Sequence, residues 1–176
     1  MAGHNKWSKV KHKKAASDAQ KSKQFSKLSR LITVEVKRSN GDRESAAVKK
    51  AVEKAKSFNM PNDAIERAVN KAQQSGSGDM ESVIYETYGP EGVAVILEGL
   101  TDNRNRTSAE IKSTLSKHGM ELAQSGSALW AFEKKDGEYE VSTYVEVSDS
   151  AKDKLSIALN DLEDNEDIQN IYNNAS

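Results

Sequence analysis

The apolar residues of this chain change their period once, and the change falls at Gln74-Ser75-Gly76-Ser77-Gly78. Upstream they recur every three or four positions, as on one face of an α-helix. Downstream they alternate or run together in short blocks, as in strands, with helical stretches between. A Gly/Ser tract separates the two regimes and reads as a flexible linker. This predicts an α+β chain of 176 residues with two cores. A basic arm (1–16) precedes a three-helix domain (17–75). A linker (76–80) then leads into an α/β domain (81–176).

In the first half, Ser17-Asp18 can cap a helix in which Phe25, Leu28, Ile32 and Val36 form one apolar stripe. Ser39-Asn40-Gly41-Asp42 ends it with turn chemistry. A second helix is expected over 44–58, with Val48, Ala51, Val52, Ala55 and Phe58 inward. A third starts near Pro61, where a missing N–H costs nothing, and turns Ile65, Ala68, Val69 and Ala72 to the core. Three amphipathic helices on short turns make a small bundle.

In the second half, 83–88 reads as a strand and Gly89-Pro90-Glu91-Gly92 as a turn. Val93-Ala94-Val95-Ile96-Leu97 is apolar throughout, as in a central strand covered on both faces. A helix is expected over 107–118, a strand over 128–133 and a tight Asp136-Gly137 turn. A third core strand is expected over 139–147. A helix capped by Ser148-Asp149 and a short closing strand at 168–172 follow. From Val93 onward the order is β-α-β-β-α-β, the ferredoxin-like order, which predicts two helices on one face of a four-stranded antiparallel sheet. The strand at 83–88 is an addition expected at an edge.

Charge is segregated along the same boundary. Residues 1–78 hold 18 Lys/Arg against 7 acids, and residues 79–176 hold 8 against 20, so the overall net of −1 hides two opposed halves. The basic end suits a polyanion, because each lysine that meets a phosphate releases a condensed counterion. Eleven of the Lys/Arg lie in residues 1–38, with Trp7 set among them as a face for base stacking. The candidate nucleic-acid contacts there are Lys6, Trp7, Lys9, Lys11, His12, Lys13, Lys14, Lys21, Lys23, Lys27 and Arg30. RNA is favoured over DNA, since unpaired RNA bases are free to stack.

Arg104 and Arg106, in Asp102-Asn103-Arg104-Asn105-Arg106-Thr107, join a central strand to a helix start. Arginine forks there suit bidentate phosphate or base contact. The local alternative is that Asp102 or Asn105 caps the helix and the arginines pair with nearby acids. The acidic stretch 163–167 lacks the glycine and spacing of a calcium loop and reads as a solvated helix end.

Several stretches resemble the YebC/PmpR family, which includes the mitochondrial translational activator of cytochrome c oxidase subunit I. They are Ala2-Gly3-His4-Asn5-Lys6-Trp7, Phe25-Ser26-Lys27-Leu28, the run from Asn59 to Ala68, the run from Tyr88 to Val95, the run from Leu100 to Thr107, Ser116-Lys117-His118-Gly119 and the run from Leu162 to Tyr172. They occur in family order across almost the whole chain. Two departures stand out. Glu91 occupies the place of a family glycine, and 139–147 runs almost directly into the last helix, where typical members insert a third domain. The resemblance implies a non-enzymatic regulator of gene expression. It would be either a ribosome- and rRNA-associated translation factor easing stalled elongation, such as at proline runs, or a DNA-binding transcriptional regulator.

Enzymatic chemistry finds little support. The chain has no cysteine, which excludes disulfides, thiol catalysis and thiolate metal sites. His4, His12 and His118 lack metal-ligand spacing, and no Gly-Lys-Ser/Thr phosphate loop occurs. No catalytic residue, metal site, cofactor or small-molecule substrate is therefore expected. No apolar run approaches a membrane span, so the expected partners are nucleic acid and ribosome, with no membrane, in the cytoplasm.

Overall fold

A computed structural model describes residues 18–74 and 80–176. The arm, with Lys6, Trp7, Lys9, Lys11, His12, Lys13 and Lys14, lies outside the described residues, as does the linker apart from Met80. The chain divides into two units at Glu81/Ser82.

The first unit is three helices: α1 (Asp18–Arg38), α2 (Ala46–Ser57) and α3 (Asn62–Gln73). α1 stops where Asn40 and Gly41 turn left-handed (φ 51° and 83°). The Gly41 N–H closes back on the Val36 carbonyl at 2.9 Å, which satisfies an otherwise orphaned acceptor. α2 starts at Ser45, whose hydroxyl accepts the Val48 N–H at 3.3 Å. Leu28, Ile32 and Val36 meet Val48, Ala51, Ala55, Met60, Ile65, Ala68 and Val69 in one core, with Phe25 partly buried at its margin. The three- and four-residue spacing of the sequence thus becomes the inward faces of all three helices.

The second unit contains β1 (Glu81–Tyr88), β2 (Ala94–Thr101), α4 (Arg104–Lys117), β3 (Phe132–Lys135), β4 (Glu138–Val141), α5 (Asp149–Glu163) and β5 (Ile168–Asn173). Its class and chain order are α+β and, from β2, β-α-β-β-α-β. The strand pairing differs from the expected four-stranded sheet. β1, β2 and β5 form one sheet with β2 central, and β3 and β4 form a separate hairpin. β5 runs antiparallel to β2, pairing Val95 with Asn173 and Leu97 with Ile171, and the register shifts at Glu98/Gly99. β1 takes the second edge of β2, so no hydrogen-bonding edge of the central strand remains for the hairpin.

The hairpin instead covers a face. Val93, Val95 and Leu97 point to α4 and α5, packing with Ile111, Leu115, Leu155, Leu159 and Leu162. Ala94 and Ile96 point the other way, against Ala128, Ala131, Phe132 and Tyr172. This is why the β2 sequence is apolar without alternation. The hairpin turns at Asp136 and Gly137, both left-handed (φ 50° and 86°), as a two-residue hairpin loop requires. Two expected strands are shorter than predicted. Leu129–Ala131 is a 3-10 turn, and the chain leaves β4 after Val141. β4 carries only half-buried and exposed residues, so it lids the core and is not a core strand.

Candidate nucleic-acid interface

On α1 the four predicted phosphate contacts fare unequally. Lys21 is exposed, Lys23 and Arg30 are half-buried, and Lys27 is only 9% exposed. Residues 23, 27 and 30 fall at i, i+4 and i+7, so they share a side of the helix. The sequence places that side in solvent, whereas the structure covers it. Long cationic side chains can cover apolar surface with their stems, a property that helical periodicity alone does not register. Lys27 as described is therefore withdrawn from the exposed basic surface.

The cations of α2 and α3 are sorted by the acids around them. Lys49 pairs with Glu44 at 2.7 Å, which raises its pKa above the ordinary lysine value. Arg43 reaches Glu66 at 3.1 Å and Asn70 at 2.7 Å. Arg67 pairs with Asp63 at 3.0 Å. These are exposed pairs of small energetic weight, but they neutralise charge locally. Between residues 18 and 74 the chain still carries 13 Lys/Arg against 7 acids.

At the start of α4 the structure favours the local alternative for Arg106. Asn103, and neither Asp102 nor Asn105, caps the helix: its side-chain oxygen accepts the Arg106 N–H at 3.0 Å. The Arg106 guanidinium donates to Asp102 and to Asp167, both at 2.9 Å. The Asp167 carboxylate, hydrogen-bonded to it, is the main cause that raises the arginine's pKa. Arg104 is exposed.

Asp167, expected in a solvated acidic run, is 2% exposed. Its carboxylate also lies 2.6 Å from the Thr107 hydroxyl, which lies 2.8 Å from that of Thr101. The Thr101 oxygen accepts the Asn103 N–H at 2.9 Å. A carboxylate only accepts, and each hydroxyl has one proton. The chain of donors therefore runs from Asn103 through Thr101 and Thr107 to Asp167. This network joins the end of β2, the start of α4 and the entry to β5.

A second buried carboxylate shapes the loop before the hairpin. Glu86 accepts the N–H groups of Gly126 and Ala128 at 2.5 and 2.6 Å. Tyr88 donates its hydroxyl to the Ser127 carbonyl and accepts the Trp130 indole N–H at 3.0 Å. Trp130 is thereby held in place while 51% exposed. Sequence reasoning missed both anchors. The acid at 86 inside the otherwise uncharged run 83–88 was the available signal.

No group of three or more potential metal ligands occurs among the described residues. Among those residues, no helix is long and apolar enough to cross a membrane.

Comparison with known proteins sets these features in a family. A profile described as the TACO1/YebC protein N-terminal domain matches residues 5–75. Another, described as the TACO1/YebC second and third domain, matches residues 80–141. A "probable transcriptional regulatory protein" of Finegoldia magna is 50% identical over 137 residues, covering 77% of this chain and 57% of its own length. One from Thermosipho africanus is also 50% identical over 137 residues, with 77% and 54% covered. One from Halothermothrix orenii is 44% identical over 169 residues, with 93% and 63% covered. The chain thus spans 54–63% of the length of these relatives. The crystal structure of a conserved hypothetical protein from Aquifex aeolicus superposes with a TM-score of 0.84 at 28% identity, covering 95% of each chain. The two profile matches follow one another along most of the chain, on a fold shared with that crystal structure, and this chain belongs to the TACO1/YebC family.

Proposed function

We propose that this protein is a non-enzymatic, cytoplasmic regulator of gene expression that binds nucleic acid through its basic N-terminal half. The observation that carries the reading is the segregation of charge: residues 1–78 are strongly basic and residues 79–176 strongly acidic. A polyanion would meet the first half and be repelled by the second. The candidate contacts are the arm (Lys6, Trp7, Lys9, Lys11, His12, Lys13, Lys14) together with Lys21, Lys23 and Arg30. Arg104 is an exposed candidate in the acidic half, and Arg106 is engaged by Asp102 and Asp167.

The names of the relatives support a DNA-binding transcriptional regulator. Ribosomal RNA is the second reading, with a role in easing stalled elongation such as at proline runs. Trp7 among the arm lysines favours it, because an unpaired base can stack on an indole. In-cell ultraviolet crosslinking with sequencing of the bound nucleic acid separates them. Discrete promoter DNA establishes the transcriptional reading, and discrete ribosomal RNA positions establish the translational one. Recovery of neither overturns nucleic-acid binding.

A further inference from the structure

We infer that Asn40 is a spontaneous modification site, at which the side-chain amide is lost as ammonia and residue 40 becomes aspartate or isoaspartate. The inference stands on the chemistry of one turn and does not rest on the nucleic-acid reading.

Asn40 is the one asparagine of the chain that precedes a glycine. It follows α1 in a left-handed conformation (φ 51°), with Gly41 next at φ 83°. Its side chain is exposed, and among the described residues its amide makes no hydrogen bond. Asn70, Asn103, Asn165, Asn170, Asn173 and Asn174, by contrast, each have a side-chain partner. Lys37, Ala72 and Gln73 line an open recess together with this turn, so water reaches the amide. The glycine matters because its backbone nitrogen makes the attack, and no Cβ shields that atom.

The reaction balances with water as its co-reactant. The Gly41 nitrogen gives its proton to solvent base and bonds to Asn40 Cγ. The Cγ–Nδ2 bond breaks, and the amide nitrogen leaves as ammonia with a proton returned by solvent. The product is a five-membered imide spanning residues 40 and 41. Water then opens it in one of two ways. Attack at Cγ gives aspartate. Attack at the main-chain carbonyl carbon of residue 40 gives isoaspartate, with the chain rerouted through Cβ.

The fold restrains this reaction without blocking it. The Gly41 N–H that must be surrendered is donated to the Val36 carbonyl at 2.9 Å. The Gln73 side-chain amide donates to the Gly41 carbonyl at 3.4 Å. Both bonds lie at a helix end, where opening is local and needs no global unfolding. Conversion therefore proceeds from the opened turn. Either product then works against the turn that slowed it. A new carboxylate stands at the negative end of the α1 dipole. Isoaspartate also lengthens the main chain by a carbon, so the closure of Gly41 on Val36 is lost. Val36 is part of the buried core of the bundle, and its helix end loosens.

The test incubates the full chain in mildly alkaline buffer, with a parallel sample unfolded in urea and a zero-time sample as background. Mass spectrometry of the tryptic peptide 39–43 follows the amide-to-acid mass gain at residue 40. Electron-transfer fragmentation separates aspartate from isoaspartate. Conversion is expected at residue 40 ahead of every other asparagine. It should run about fivefold slower in the native chain than in urea, the weight of one ordinary hydrogen bond. Helical circular dichroism of the aged chain should melt at a lower temperature than that of the fresh chain, whereas Asn40→Gln aged alike should not drift. An unmodified residue 40 in the native chain, under conditions that convert the unfolded one, overturns the site. Equal rates in the two samples overturn the restraint by the turn. A thermal drift of equal size in Asn40→Gln overturns the coupling to α1.

Discussion

Arg106 and Asp167, sixty-one positions apart, meet at 2.9 Å with the carboxylate side chain 3% exposed and the guanidinium 42% exposed. The pair is asymmetric: its acid is interior and its base is half in solvent. Removing the acid takes the shortest contact from the Thr107 hydroxyl, leaving it the Asn103 carbonyl at 3.1 Å, and takes from Arg106 its buried partner, whereas removing the base leaves Asp167 with the Thr107 bond.

Asp167→Ala is therefore expected to destabilise the α/β unit by about 1.5–3 kcal/mol, the range for hydrogen bonds to a charged group. Arg106→Ala is expected to cost less, about 1 kcal/mol, because solvent screens its exposed part. Urea unfolding followed by Trp130 fluorescence in a Trp7→Phe background reads this unit alone, since the chain has two tryptophans. Equal losses for the two variants would contradict the asymmetry.

Gly99 sits at the register shift of β2. A Cβ there would lie 2.8 Å from the Asp167 carbonyl oxygen and 3.0 Å from the Val83 side chain. The first of these is backbone and cannot swing away. Gly99→Ala is expected to cost about 1–3 kcal/mol, as overpacking does, in the same unfolding measurement. A neutral result would mean that the strand shifts locally to admit the methyl group.

Glu91 occupies a left-handed backbone position (φ 58°), a conformation that glycine adopts most readily. Its carboxylate reaches Ser148, the N-cap of α5, accepting from the hydroxyl at 2.7 Å and from the backbone N–H at 2.9 Å. The side-chain hydrogen bond and then the backbone one hold the glutamate's pKa below its ordinary value. A depressed folded-state pKa means that the stabilisation is complete above the unfolded-state pKa and is lost as pH falls through the folded one. The difference in melting temperature between wild type and Glu91→Gln should accordingly be present at neutral pH and shrink below about pH 4. A difference that persists in acid would place the effect in packing.

Ser45→Ala removes the cap of α2, and with it the 2.8 Å contact between the hydroxyls of Ser45 and Ser39. The expected cost to the helical unit is about 1 kcal/mol, read from the lower-temperature loss of helical circular dichroism. Trp130 fluorescence should not move with it. A coincident shift of both signals would show that the two units unfold together.

Local pattern carried much of this fold. The stripes at Leu28, Ile32 and Val36 and at Ile65, Ala68 and Val69 became core, because helical burial is decided within a few turns. Asp136-Gly137 marked its hairpin for the same reason. Strand partnership was not legible. Whether β1 or the hairpin takes the second edge of β2 depends on segments tens of residues apart, and neither bears a mark of its choice. Asn103 was passed over because three adjacent capping candidates, at 102, 103 and 105, differ only in local backbone geometry. Asp167 looked like one more acid in Glu163-Asp164-Asn165-Glu166-Asp167. Its burial is set by Thr107 and Arg106 on another helix. The charge-rich arm was the clearest functional signal in the sequence.

The pairing of Val95 with Asn173 has a consequence for synthesis. Loop closure over such a span delays folding, and domains fold as units while the chain emerges. The helical bundle is complete in sequence by Gln73, but β2 stays without its β5 neighbour until almost the last residue of this chain is available. During translation the cationic half can thus reach its folded form while the acidic half is still an open chain.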